Sequence, residues 1–293
     1  MIKFCRKRLI INQREEVIYL TLALSIKVND GLVLAADSAT TMSQKGPNGQ
    51  ELIMNIYDNA NKVFNLHKKL PIGLITWGLG NIGKSSIETI VKDFRCEITE
   101  AGSTAIDVDS YTMEDIARRF YEYIYTNRYV PSGIKSSMGF VIGGYSKNAD
   151  SPEEWTIQID SNGMCAGPVL AHGVDDSGGM WFGQPEAITR LIRGHSNALG
   201  LVLRQADLSP EKINEIIELC ARNLTSQMII QSMPIKDAVD LAKFLIETTI
   251  NYIKYQTNTR QTVGGPIEIA VITKHEGFKW VDRKLYFSDK LNP

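Results

Sequence analysis

From Thr21 onward the chain alternates. Leu22, Leu24, Ile26 and Val28 are apolar and are separated by small or polar residues, the period of a half-buried strand. Asn29-Asp30-Gly31 is a turn signal. Leu32 to Ala36 then reads as a buried strand, so the two predict an antiparallel hairpin. Residues 43–60 are polar, with Gly46-Pro47-Asn48-Gly49 marking a loop. Short strands follow at Lys62–Leu66 and Ile72–Trp77. An amphipathic helix is expected from about Asn81 to Phe94. A second runs from Thr112, its cap, to about Tyr125, with Glu114 and Asp115 in the favourable first turn. The rings of Phe120, Tyr121, Tyr123, Tyr125 and Tyr129 read as a packing face.

Residues 138–145 and 154–160 predict another antiparallel pair, and 161–184 a glycine-rich irregular stretch. Helices are expected near Pro185, at Ser209-Pro210-Glu211 and at Pro234. Ile213, Ile216, Ile217, Cys220 and Leu224 line one face of the second of these. Ile267–Thr273 and Lys279–Phe287 read as closing strands. Strands, helices, strands, helices, strands is the order of an α+β layered protein. Residues 1–17 show no clear period. The expected organisation is an arm or propeptide over residues 1–20 and a single domain over 21–293.

Composition narrows the classes. The 293 residues carry 32 Lys and Arg against 33 Asp and Glu, a net charge of −1. That balance argues against nucleic acid as a partner. No apolar run approaches the roughly 18 residues of a membrane span. A basic cluster (Lys3, Arg6, Lys7, Arg8) precedes only Leu9, Ile10 and Ile11, too short for a secretory core. Cys5, Cys96, Cys165 and Cys220 are far apart, and His67, His172, His195 and His275 lack ligand-like spacing. The expectation is a cytoplasmic protein with neither metal nor cofactor.

Three patterns compete for the chemistry. Gly78 to Ser85 matches both the P-loop and, in its first six residues, the dinucleotide fingerprint. Both need parallel βαβ units, whereas the neighbouring strands predict antiparallel hairpins, so a tight glycine turn is favoured. Asp176-Ser177-Gly178-Gly179 with His172 has the look of a serine-protease nucleophile segment, but those enzymes are all-β and this chain is rich in helices. The third pattern is dispersed. Thr21 starts the first strand, Asp37 ends the second, Lys62 starts the next and Gly78 closes the one after.

In this third pattern the chain resembles the proteasome β subunits and their bacterial relatives, members of the N-terminal-nucleophile (Ntn) hydrolase superfamily. The likeness lies in Thr21–Met42, Asn61–Leu66, Gly73–Gly78 and Gly264–Thr273, in family order. It implies a four-layer αββα sandwich and a threonine peptidase with Thr21 as nucleophile. Asp37 and Lys62 would be its electrostatic partners, and the Gly78 N–H the oxyanion donor. Thr40, Thr41 and Gly80 would hold a peptide or unfolded protein substrate as an added strand. A homo-oligomeric ring is implied, and the ATPase partner is left unidentified. The chemistry is coherent. A threonine hydroxyl needs a base, and in this class its own α-amine serves; such an amine titrates near pKa ~7.7–8.0.

Three departures stand against that pattern. Twenty residues precede Thr21, and the one before it is Leu20, where family propeptides end in Gly. A serine position of the family falls on Phe182. A late Asp and Ser fall on Arg260 and Val263. The alternatives are a non-catalytic subunit that retains residues 1–20 and a P-loop nucleotide binder. Thr21 becomes a terminus either by cleavage at Leu20–Thr21 or by initiation at the Leu20 codon followed by methionine removal. Intact-mass measurement of the natively expressed protein is expected to give a chain starting at Thr21. A fully active chain that retains residues 1–20 would contradict both routes.

Overall fold

The computed structural model describes residues 21–45, 51–100, 102–257 and 261–285. The arm, the Leu20–Thr21 junction and Arg260 lie outside the described residues. The first hairpin is as predicted. Strands β1 (Leu22–Val28) and β2 (Gly31–Ala36) pair antiparallel, and every residue in both is buried. The alternation has two readers. Leu22, Leu24, Ile26 and Val28 pack toward helices, whereas Ala23 faces the opposite way, in a cluster with Leu32, Leu34, Ile75 and Val141.

Strands β3 (Thr40–Lys45) and β4 (Glu51–Tyr57) form an antiparallel ladder within the stretch read as polar, and the loop expected at Gly46–Gly49 lies outside the described residues. Leu52, Ile53, Met54 and Ile56 give β4 the apolar composition of a strand. Then come β5 (Val63–Asn65), β6 (Ile72–Gly78) and a small hairpin of β7 (Asn81–Ile82) and β8 (Ser85–Ser86). Helix α1 spans Ile87–Thr99, six residues later than expected at its start, because Ser86 is its cap and accepts from the Thr89 N–H. Thr112 caps α2 (Met113–Tyr121) as predicted, accepting from the Asp115 N–H. The helix then widens into a π-helical stretch, Glu122–Tyr129, and ends in a single turn, α3 (Val130–Ser132).

Strands β9 (Met138–Gly144) and β10 (Glu153–Ile159) are the expected pair. The stretch read as irregular contains β11 (Val169–His172) and β12 (Gly178–Gly183). Glycine hides strand periodicity, yet β12 pairs with β1 along its length. Helices α4 (Glu186–Arg193), α5 (Leu199–Gln205), α6 (Pro210–Leu224) and α7 (Ile235–Lys254) follow. The apolar face of α6 is largely not buried; among its residues Ile213 alone is. Strands β13 (Glu268–Thr273) and β14 (Gly277–Asp282) close the fold, the last ending short of Phe287.

Among the described residues the strands assemble into two five-stranded sheets, ordered β12-β1-β2-β13-β14 and β11-β10-β9-β6-β5, besides the two small ladders. Every pairing is antiparallel. The apolar interior falls into three clusters. One joins α1, α2 and the π-helical stretch to the second sheet, one joins α4 and α7 to the first, and one lies between the sheets. Phe120 anchors the first of these, set edge-on to both Phe94 and Phe140. Tyr121, Tyr125 and Tyr129 stack in series beside it. No helix among the described residues is long and apolar enough to cross a membrane.

Phe120→Ala removes a fully buried ring and should cost about 3–5 kcal/mol. The fall in urea midpoint measures it; a loss below about 1 kcal/mol would mean that the cluster collapses around the gap.

Candidate active site

The hairpin places Thr21 and Asp37 at the same end of the first sheet, just before β1 and just after β2. Both are buried. Thr21 Oγ1 donates to Asp37 Oδ1 at 3.3 Å, and the Leu22 N–H donates to the same oxygen at 2.8 Å. Lys62, just before β5, reaches across from the second sheet. Its Nζ donates to Asp37 Oδ1 at 2.6 Å and to the Ala39 carbonyl at 2.5 Å. The other carboxylate oxygen accepts the N–H groups of Ala39 at 3.1 Å and Gly264 at 3.0 Å. Asp37 thus takes five donors, which satisfies a charge that would otherwise be costly to bury.

Burial pushes the Lys62 ammonium below its ordinary value, and the Asp37 charge and hydrogen bond oppose that fall. A carboxylate at 2.6 Å in so dry a place favours the charged lysine. The arrangement can hold a positive charge near the Thr21 hydroxyl without freeing the lysine to act elsewhere.

Gly183 brings β12 against Thr21. Its φ is +90°, and a Cβ there would lie 1.9 Å from the Thr21 carbonyl oxygen. Only glycine fits. The Gln184 N–H donates to that same carbonyl at 2.8 Å. Gly78 ends β6, exposed, with φ +87°; a Cβ there would meet the Ser137 carbonyl at 2.5 Å. It joins the Thr21 region through its neighbour Trp77. The Trp77 ring stacks on Phe182 at 3.9 Å and 6° between planes, and Phe182 precedes Gly183. Phe182 therefore has a packing role, and Val263 is also fully buried. Thr40 and Gly80 face each other: a Cβ on Gly80 would lie 3.5 Å from Thr40 Oγ1. The Thr41 hydroxyl is buried with no hydrogen-bond partner.

The two rival motifs have structural explanations. The P-loop match contains the β7–β8 hairpin, turning at Gly83, instead of running directly into a helix. Strand β6 before it is flanked by antiparallel β5 and β9, so the parallel unit a P-loop needs is not formed here. In the serine-protease-like segment, Gly178 and Gly179 pair with Lys27 and Ile26 as the start of β12. His172 Nδ1 lies 2.6 Å from Glu154 Oε2, and buried Lys27 donates to the carbonyls of Gly173 and Asp176. This cluster ties β1 to the segment between β11 and β12. Among the described residues, no group of three or more His, Cys, Asp or Glu is placed to hold a metal ion.

Sequence reasoning missed a second charge pair. Lys284, just beyond β14, has Nζ 3.0 Å from Glu268 Oε2, and both side chains are largely buried. The same ammonium donates to Ser38 Oγ and to the Ala60 carbonyl, both at 2.6 Å. Glu268 lies inside Gly264–Thr273, where the pattern marks it only as part of a strand. For Lys284 nothing in the local pattern gives a signal.

No family model matches the chain, and no curated protein matches it. Solved structures do. The helical assembly of the Anbu complex from Pseudomonas aeruginosa is 18% identical with a TM-score of 0.50, covering 92% of this chain and 90% of that one. The Gly-1 mutant of Anbu from Hyphomicrobium sp. strain MC1 is 16% identical with a TM-score of 0.50, covering 92% and 91%. Anbu (ancestral beta-subunit) from Yersinia bercovieri is 16% identical with a TM-score of 0.49, covering 90% and 88%. The first two show a shared fold. They also correct the resemblance to the proteasome β subunits and their bacterial relatives, because the matching structures are Anbu proteins. The segments that carried the resemblance are strands β1, β2, β5, β6 and β13 with their flanking turns, which follow the fold.

Two predictions arise from these contacts. Lys62→Met strips the buried Asp37 charge of its partner and should destabilise by about 3–5 kcal/mol, whereas Lys62→Met with Asp37→Asn, which removes the charge and keeps an acceptor oxygen, should cost less than the sum of the two single changes. Additive urea midpoints would mean that the pair is not coupled. The second concerns His172, whose pKa is raised chiefly by its hydrogen bond to Glu154. That contribution is complete below the ordinary value of 6.5 and is lost as pH rises through the raised value. Glu154→Gln should flatten the part of the stability curve that lies above pH 6.5; an unchanged slope would contradict it.

Proposed function

We propose that the chain is an Anbu-like Ntn hydrolase: a threonine peptidase or amidase whose nucleophile is Thr21 once residues 1–20 are gone. The observation that carries this is the buried hydrogen-bond chain Thr21 Oγ1–Asp37–Lys62. The three apolar clusters support a four-layer αββα stacking of residues 21–293 as one domain. The Anbu complex from Pseudomonas aeruginosa is a helical assembly, and that likeness supports self-association of this chain.

The chemistry runs in two balanced steps. The neutral Thr21 α-amine takes the Oγ1 proton as Oγ1 bonds to the substrate carbonyl carbon. The oxyanion develops toward the Gly78 N–H, a contribution of roughly 2.7–4 kcal/mol in comparable sites. The amine passes its proton to the leaving nitrogen as the C–N bond breaks, leaving an ester on Thr21. Water, deprotonated by the same amine, then attacks the ester carbonyl, and the amine returns that proton to Oγ1 as the acyl C–O bond breaks, releasing the acid and restoring the hydroxyl. Lys62 holds positive charge beside these events and disfavours a protonated α-amine; Asp37 keeps Lys62 in place. Thr40, Thr41 and Gly80 supply the edge along which an extended peptide would lie.

A non-catalytic proteasome-like subunit is the second reading. Phe182 and Val263 favour it, because apolar packing occupies positions that are polar in the proteasome family.

Peptide hydrolysis separates the two. For a chain starting at Thr21, Thr21→Ala should lower kcat/KM by at least about 10³-fold, while Thr21→Ser retains measurable turnover. Equal rates for the parent and Thr21→Ala would refute the nucleophile, and no turnover in the parent would favour the second reading.

A further inference from the structure

Two buried carboxylates, the buried Lys62 ammonium and the largely buried Lys284 ammonium meet at this end of the sheets. Asp37 and Lys62 form one pair at 2.6 Å, Glu268 and Lys284 the other at 3.0 Å. The second pair is wired into the first. Glu268 opens β13 opposite Ala36, the residue before Asp37. Lys284 donates to Ser38, the residue after Asp37, and to the carbonyl of Ala60, two residues before Lys62. Ser38 Oγ in turn donates to the Pro266 carbonyl at 2.6 Å.

We propose that Lys284 and Glu268 are positioning residues for the Thr21 site: Lys284 clips the segments bearing Asp37 and Lys62 together, and the pair's opposed charges set the pH range in which Lys62 serves Thr21. This rests on the peptidase reading above. The groups that face Lys62 are Asp37, Glu268 and Lys284; Glu88 and Arg283 act on that pair from farther out. Lys284 disfavours the charged form of Lys62, and Glu268 favours it. Burial itself pushes Glu268 up and Lys284 down, so each charge persists because the other is there.

The signs follow. Loss of the Lys284 charge makes Lys62, and the Thr21 amine beside it, hold protons to higher pH. The acid limb of kcat/KM then moves up. Loss of the Glu268 charge moves it down. The partner left behind is neutralised in part, so each displacement should be about half a pH unit, near threefold in kcat/KM on the limb.

The test uses the chain starting at Thr21 and a peptide amide substrate. Lys284→Met should raise the acid limb and Glu268→Gln should lower it. The double variant should return near the parent, and Lys284→Arg should stay there. If Lys284→Met and Glu268→Gln lower kcat/KM by a constant factor at every pH, the pair is only structural and the proposal is overturned. Should Lys284→Met fail to fold, Glu268→Gln still carries a signed prediction. A second readout does not need turnover: the ¹³C titration of the Lys62 side chain, assigned with Lys62→Arg. Its midpoint should rise in Lys284→Met and fall in Glu268→Gln. Those shifts in a parent that cannot hydrolyse peptides would sink the peptidase reading and keep the coupling. An unmoved Lys62 midpoint in variants of an active parent would overturn the inference alone.

Discussion

A single carboxylate organises this end of the molecule. Asp37 is fully buried, and it would be costly there without its donors. Five donors from four segments converge on it: Thr21 and Leu22, Lys62, Ala39 and Gly264. That demand fixes the geometry. The end of β2 must lie beside the start of β1, the Lys62 segment must cross from the second sheet, and the Gly264 turn must close from beyond α7. The site is therefore a property of the fold's polar satisfaction, and the same contacts that orient Thr21 also join the two sheets.

The surroundings of that carboxylate are divided by chemistry. On one side lie charges and backbone carbonyls, with Lys284 and Glu268 completing the set. On the other lies apolar packing, in which Phe182 on Trp77 and Gly183 against Thr21 bring β12 in close. The apolar wall keeps the local dielectric low, which strengthens the influence of each nearby charge on Thr21.

The sequence was legible where local period and long-range role agree. Leu22, Leu24, Ile26 and Val28 alternate because one face of β1 meets helices, and the Asn29-Asp30-Gly31 turn fixes its register with β2. That placed Thr21 and Asp37 together, and Lys62, named with them from the sequence, donates to Asp37 in the structure. It was illegible where partners are distant or side chains are absent. Strand β12 is half glycine and shows its nature only against β1. The apolar residues of α6 suggested a buried face, of which the structure buries Ile213 and leaves Ile216, Ile217 and Cys220 half-buried. Lys284 meets the site only because β14 returns the chain there. The family resemblance anticipated a mixed α/β fold with antiparallel sheets, but the solved structures that match are Anbu proteins and not the proteasome β subunits it named.

The most direct test of the account is covalent capture. A chain starting at Thr21 is treated with a β-lactone and digested, and the adduct is located by mass spectrometry. The account predicts one acyl group, on the peptide that begins with Thr21, lost in Thr21→Ala. An adduct on any other peptide, or one that survives that substitution, would contradict it.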